Sequence, residues 1–173
     1  NVLLGKNAQG KTNVLEAIFF AVIGKSFKTS KEKEVISWGK TSAYIKAEFQ
    51  KKYRETKIEL FFNENHKKTI KIDDIPIKKI GELMGASNAV FFSPDELKLV
   101  KESPEERRRF MNIDISQTNK RYFYLIGRYE KVLANRNKLL KTSKDISALK
   151  ETIDIWDRAL SDLAGKIASE RKK

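Results

Sequence analysis

The period of the hydrophobic positions changes along the chain. Val2-Leu3-Leu4 is a short continuous apolar run that suits a buried strand. The stretch from Asn13 to Ala21 suits a helix, which starts near Lys11, runs to Ile23 and stops at Gly24. Alternation by two then appears at Ala43–Phe49, Thr56–Phe62 and Lys68–Ile72. The polar stretches Gln50–Tyr53 and Asn63–His66 separate these runs, so the pattern predicts an antiparallel meander. Asp73-Asp74-Ile75-Pro76 reads as a further turn, and Lys78–Met84 as a short helix ending at Gly85. Val90-Phe91-Phe92 is again short and strand-like. Ser93-Pro94-Asp95-Glu96 and Ser103-Pro104-Glu105-Glu106 each combine a cap residue, a proline at the first helical position and a glutamate three residues after the cap. They predict a brief helix over Pro94–Val100 and a second helix carrying Arg107-Arg108-Arg109.

From about Thr118 the pattern is purely helical. Tyr122, Leu125, Tyr129, Val132, Arg136 and Leu139 alternate steps of three and four. After a polar break at Lys141–Lys144, the same stepping resumes at Ile146, Leu149, Ile153, Trp156, Leu160, Leu163 and Ile167. Two heptad seams joined by a short break imply an antiparallel helical hairpin. Either two core helices of a bundle or a stub of coiled coil fits the seam. The organisation expected is an α/β (α+β) nucleotide-binding part over 1–117 and a hairpin arm over 118–173.

Composition narrows the function classes. Lysine and arginine number 36 against 23 acidic residues, a formal net charge of +13. Such an excess favours a polyanion such as nucleic acid. A lysine-rich composition inherited from an AT-rich or thermophilic genome gives the same count. With no cysteine, disulfides and thiolate metal sites are excluded, and a cytoplasmic location fits. No apolar run reaches membrane-spanning length and no signal-peptide pattern is present, so no membrane is expected. The lone His66, in a polar stretch, reads as solvated rather than as a metal ligand. The chain starts at Asn1, almost on the first apolar run, so a further N-terminal segment is expected upstream.

Between the first run and the first helix lies Gly5-Lys6-Asn7-Ala8-Gln9-Gly10-Lys11-Thr12, which satisfies G-x-x-x-x-G-K-[ST] at every fixed position. The flanking strand and helix are the context such a phosphate-binding loop requires. Glycines at 5 and 10 permit backbone angles closed to other residues and a close approach of amides to phosphate oxygens. The helix N-terminus aims its positive dipole end at the anion. Lys11 supplies a compact positive charge for the β- and γ-phosphates, and the Thr12 hydroxyl suits Mg²⁺ bridging them. The implied cofactors are ATP, as the purine triphosphate, and Mg²⁺.

The loop with its following Asn13, the stretch Phe91–Lys101 with Ser103-Pro104 and Arg107–Phe110, and the helical residues Arg128-Tyr129, Val132-Leu133, Arg136–Leu140 and Trp156-Asp157 together resemble the RecF family of bacterial recombination mediators. The resemblance extends over essentially all 173 residues. It implies the N-terminal lobe of an ABC-type ATPase head related to SMC proteins, with a shortened coiled coil. It also implies ATP-dependent DNA binding, help in loading recombinase at single-strand gaps, dimerisation around two ATP molecules, and RecR and RecO as partners. Walker B, the catalytic glutamate and the signature motif of such a head are not found. Asp73-Asp74 follows an alternating run inside a meander and makes a poor Walker B. The family keeps those elements beyond the helical arm, so the chain is expected to be truncated at both ends and to bind ATP with little or no hydrolysis. No catalytic residue is assigned. Where the family's Q-loop glutamine is expected, Ser93-Pro94-Asp95 stands instead, which leaves Asp95 as a candidate metal contact. Candidate DNA contacts are Lys25, Lys28, Lys31 and Lys33 in the basic loop, with Arg107, Arg108 and Arg109. The three arginines point about 100° apart on a helix, so they cannot all face one phosphate. The alternatives are a nucleotide-dependent dimerisation module of another SMC-like ATPase and, less well matched to the long hairpin, a small-nucleotide kinase.

Overall fold

A computed structural model describes residues 1–29, 31–65, 67–92, 104–142 and 146–173. The chain divides into two compact units, Asn1–Arg107 and Arg108–Lys173. Lone His66, the expected helix over Pro94–Val100, the cap at Ser103 and Asp95 all lie outside the described residues.

In the first unit, helix α1 spans Lys11–Ile23 and ends as its glycine requires. Gly24 adopts the left-handed conformation, φ 75°, and its N–H donates to the Phe20 carbonyl. The strands are β1 (Ser42–Gln50), β2 (Glu55–Asn63), β3 (Lys68–Ile72) and β4 (Ile75–Ile77), in the order β1-β2-β3-β4. All neighbours are antiparallel, with Ile45 opposite Leu60 and Leu60 opposite Ile70. Alternation puts Ile58, Leu60, Phe62 and Ile70 on one buried face. Helix α1 covers that face through Phe20, Ala21 and Val22, with the Phe20 and Phe62 rings stacked at 5.2 Å. Lys68 of β3 donates from Nζ to the Gly24 carbonyl at 2.7 Å, so a cation sits at the negative end of the α1 dipole. Leu83 and Met84 close the core.

Three expectations change. The meander has a fourth strand, because only Asp73 and Asp74 form the turn. Their φ values of 50° and 67° suit a tight two-residue hairpin, and Pro76 is tolerated because β4 lies at the sheet edge. The helix read over Lys78–Met84 shrinks to a 3₁₀ turn at Ile80–Glu82. Val2-Leu3-Leu4 and Val90-Phe91-Phe92 are not strands, and Val2, Leu4, Val90 and Phe92 are exposed. An apolar run becomes a buried strand only beside neighbours that satisfy its N–H and C=O groups. Among the described residues the one sheet ends at β1 and β4 without taking in either run.

The second unit is helical. Helix α2 spans Pro104–Thr118, its first turn falling in the first unit, and is followed by α3 at Lys120–Thr142 and α4 at Ile146–Arg171. Asn119 separates α2 from α3 and caps α3, its Oδ1 accepting from the Tyr122 N–H at 3.1 Å. The heptad reading holds: Tyr122, Leu125, Leu163 and Ile167 form the buried cluster, with Ile115, Ile126, Tyr129 and Val132 packed against it. Arg136 and Asp157 pair across the hairpin at 2.5 Å. At its base the fully buried Tyr122 hydroxyl donates to Asn112 Oδ1 at 2.5 Å and accepts from Arg171 Nε at 2.9 Å. Arg171 also donates to Asn112 Oδ1. One phenol thus ties all three helices of the unit together.

Candidate phosphate-binding site

The site is built at the start of α1. Gly10, its N-cap, has φ 83° and no side chain with which to cap the first turn. The N–H groups of Lys11, Thr12 and Asn13 therefore lack intrahelical acceptors, and the first ladder bond is Val14 N–H to the Gly10 carbonyl at 3.1 Å. No acidic side chain stands in that first turn. Unfilled donors, a positive dipole end and no competing carboxylate are the conditions for an anion site. Lys11 folds back over the loop, Nζ donating to the Gly5 carbonyl at 2.5 Å and the Lys6 carbonyl at 2.7 Å. These oxygens hold the ammonium beside the loop without neutralising it. Ala8 carries φ 62°, a left-handed angle that costs an L-residue about 1–2 kcal/mol. The motif spacing gave no sign of that strain, which belongs with backbone shaped for a ligand. The donor set fits a triphosphate: main-chain amides, one ammonium and the Thr12 hydroxyl.

The basic loop after α1 is tied down more than its charge suggests. Lys28 pairs with Glu16 Oε2 at 3.0 Å and donates to Asn13 Oδ1 at 3.2 Å. Glu16 also accepts from Ser26 Oγ at 2.5 Å, and Ser26 Oγ in turn receives the Lys28 and Thr29 N–H groups. Phe27 stacks on Phe91 with centroids 3.8 Å apart and meets Phe19 edge-on. Lys31 pairs with Glu34, whose carboxyl is held below the usual range chiefly by the Thr29 hydroxyl and then by Lys31. Lys25 and Lys33 make no ion pair among the described residues. The Glu16–Ser26–Lys28 link joins residues up to twelve positions apart, so no local pattern announced it.

On α2, Arg107, Arg108 and Arg109 are exposed, and Arg109 already has a partner. Asp73 and Asp74 serve the hairpin. Asp73 Oδ1 accepts the Lys57 N–H at 2.7 Å, and Asp74 pairs with the Lys57 ammonium, which lowers the Asp74 pKa. No group of three or more histidine, cysteine or acidic side chains is placed to hold a metal among the described residues. No helix of the described residues is long and apolar enough to cross a membrane.

A phosphate-binding loop opening a helix that backs an antiparallel sheet, followed by a helical hairpin, defines a P-loop ATPase lobe. The chain belongs to the AAA-domain family, whose model matches residues 1–173. Within it the chain is similar to the DNA replication and repair protein RecF of Alkaliphilus oremlandii, at 46% identity over 162 residues, covering 93% of this chain and 43% of that protein. It is also similar to RecF of Clostridium tetani, at 44% over 173 residues, all of this chain and 47% of that one. A solved structure of the recombination mediator protein RecF with ATP superposes with a TM-score of 0.92 at 35% identity, covering 99% of this chain and 46% of the other. The chain spans about half the length of the curated relatives it matches. The resemblance read from the sequence motifs is thereby borne out, as is the fold class of a P-loop ATPase N-terminal lobe.

Proposed function

We propose that this chain is the ATP-holding lobe of a RecF-like DNA replication and repair ATPase. The observation that carries the reading is the uncapped, acid-free N-terminus of α1 with Lys11 curled against Gly5 and Lys6. The likeness to RecF solved with ATP supports it. Gly5, Lys6, Asn7, Ala8, Gln9 and Gly10 wrap the phosphates with main-chain groups. Lys11 exchanges its two carbonyl contacts for the β- and γ-phosphates. The Thr12 hydroxyl takes the Mg²⁺, which when bound neutralises charge on the phosphates. No residue is assigned to activating water, so the lobe alone binds ATP without efficient turnover.

In the longer protein, bound nucleotide would drive homodimerisation and DNA binding, and assist recombinase loading at gapped DNA with RecR and RecO. Lys25 and Lys33 are the better placed of the loop lysines for backbone phosphates, since Lys28 and Lys31 already have carboxylate partners. Of the arginines, Arg107 and Arg108 are the better candidates, since Arg109 is engaged.

Titration of a fluorescent ATP analogue tests the site, with Mg²⁺ and with chelator, against the wild type, Lys11→Ala and Thr12→Ala. Lys11→Ala should weaken binding by at least roughly tenfold, as expected for loss of a charge-assisted contact. Thr12→Ala should remove the Mg²⁺ enhancement. Equal affinity in all three proteins, or a turnover that matches an intact ABC ATPase, would reject the assignment.

A further inference from the structure

Trp38 is fully exposed, with a relative accessibility of 102%. It does not sit on a slack loop. The stretch leading to it is a run of hydrogen-bonded turns: Glu34 N–H to the Lys31 carbonyl, Ile36 N–H to Lys33, and Lys40 N–H to Ser37 at 3.0 Å. The last of these closes the turn Ser37-Trp38-Gly39-Lys40, with Gly39 at φ 73° and the indole at the apex.

The charges nearby are unbalanced. Lys33 and Lys40 flank the tryptophan in sequence, both exposed and both without an ion pair among the described residues. Lys31 and Glu34 cancel each other. The Thr41 carbonyl accepts from the Glu64 N–H, which brings the β2–β3 hairpin, with Glu64 and Lys67, to the same end of the sheet. With Glu32, next to Lys33 in sequence, counted beside Glu64, the lysines Lys33, Lys40 and Lys67 still exceed the acids by one. The solvent face of the sheet differs: Lys46 pairs with Glu48, Lys57 with Asp74, and the Tyr44 hydroxyl bonds Glu59. Its charges are spent internally, and it presents no comparable excess.

A fully exposed aromatic face on a hydrogen-bonded turn, with an excess of lysines beside it, has the two elements of a single-strand binding surface, a stacking platform and phosphate anchors. Within a duplex each base face is covered by its neighbours, so an indole on a turn stacks more readily on an unpaired base. We propose that Trp38 is a stacking platform for an unpaired base of a single-stranded nucleic acid segment, with Lys33 and Lys40 on the adjoining phosphates. This rests on the DNA-binding reading above and assigns within it the recognition of unpaired structure. The same exposed tryptophan and lysines would also suit an acidic protein segment, which the test separates.

The test uses the full chain with Mg²⁺ and ATP, a labelled oligo-dT and a duplex of equal length. Trp38→Ala should weaken oligo-dT binding by roughly five- to a hundredfold, the range for one lost base stack, and leave duplex binding within about twofold. Lys33→Gln with Lys40→Gln should weaken both DNAs and flatten the salt dependence. The chain has two tryptophans, so Trp156→Phe leaves Trp38 as the single reporter, whose fluorescence oligo-dT should quench. DNA binding by Trp38→Ala equal to wild type, with no quenching in Trp156→Phe, overturns the platform and leaves the DNA-binding reading intact. No binding of either DNA by the wild type overturns both. Unchanged DNA affinity in Trp38→Ala together with loss of self-association overturns the platform in favour of a protein contact.

Discussion

Replacing Gly24 by alanine should destabilise the first unit by a calculable amount while leaving the phosphate site chemically intact. At φ 75° an L-residue pays about 1–2 kcal/mol against the glycine. The added Cβ would lie 2.4 Å from Ile80 Cδ1, 3.2 Å from Leu83 Cδ2 and 3.3 Å from Ile80 Cγ1. Ile80 is half-buried and meets the intruder with the end of its side chain, so it can swing aside at about 0.5–1.5 kcal/mol for an off-rotamer torsion. Leu83 is fully buried and must give by a few tenths of an ångström, which adds a smaller amount. The expected loss is about 2–3 kcal/mol, a large part of the roughly 5–15 kcal/mol that holds a typical domain. With a urea slope of about 2 kcal/mol/M, the unfolding midpoint should fall by roughly 1–1.5 M at unchanged slope. Circular dichroism in urea measures the midpoint, and nucleotide titration below the transition checks that affinity per folded molecule is retained. A fall of less than about 0.3 M would refute the reasoning, because it would mean that neither the left-handed strain nor the Ile80 contact costs what the geometry implies.

Two further outcomes follow from the arm. Leu163→Ala removes a side chain buried with Tyr122, Leu125 and Ile167 and should cost about 2–5 kcal/mol, read as earlier thermal loss of helical signal. Asp157 is held below the usual carboxylate range, first by its hydrogen bond from Arg136 and then by that guanidinium's charge. Its folded pKa lies below the unfolded value of about 3.9, so its contribution is complete above that value and is lost as the pH falls through the folded pKa. Asp157→Asn should accordingly flatten the acid end of a stability-against-pH profile and change nothing in the profile's shape above about pH 5. Superimposable profiles below pH 4 would contradict it.

Where a feature depends on neighbours in the chain, it was legible. Helix α1 begins at Lys11 and ends at Gly24 because the loop spacing and a left-handed glycine are local requirements. Strands β1 to β3 follow from period-two patterning, and the α3–α4 seam from steps of three and four, since a repeat in sequence is a repeat on one face of an element. The loop Gly5–Thr12 falls in this group too. A helix N-terminus, an ammonium and a hydroxyl at fixed spacing are almost fully specified by eight residues.

Only the tertiary structure decided features that need distant partners. Val2–Leu4 and Val90–Phe92 have the composition of strands, but hydrogen bonding to a neighbour makes a strand, and the sheet does not include them. Ile75–Ile77 became β4 because β3 offered an edge. The sequence leaves four lysines equivalent in the basic loop, but Glu16 and Glu34 claim two of them, and the turn around Trp38 leaves its indole in solvent. The sequence by itself thus determined the loop, the helix start and the side chains proposed to hold a triphosphate. The fold decided which of the surrounding cations and aromatics are left for anything else, because charge pairing and burial are settled by three-dimensional neighbours and not by order along the chain.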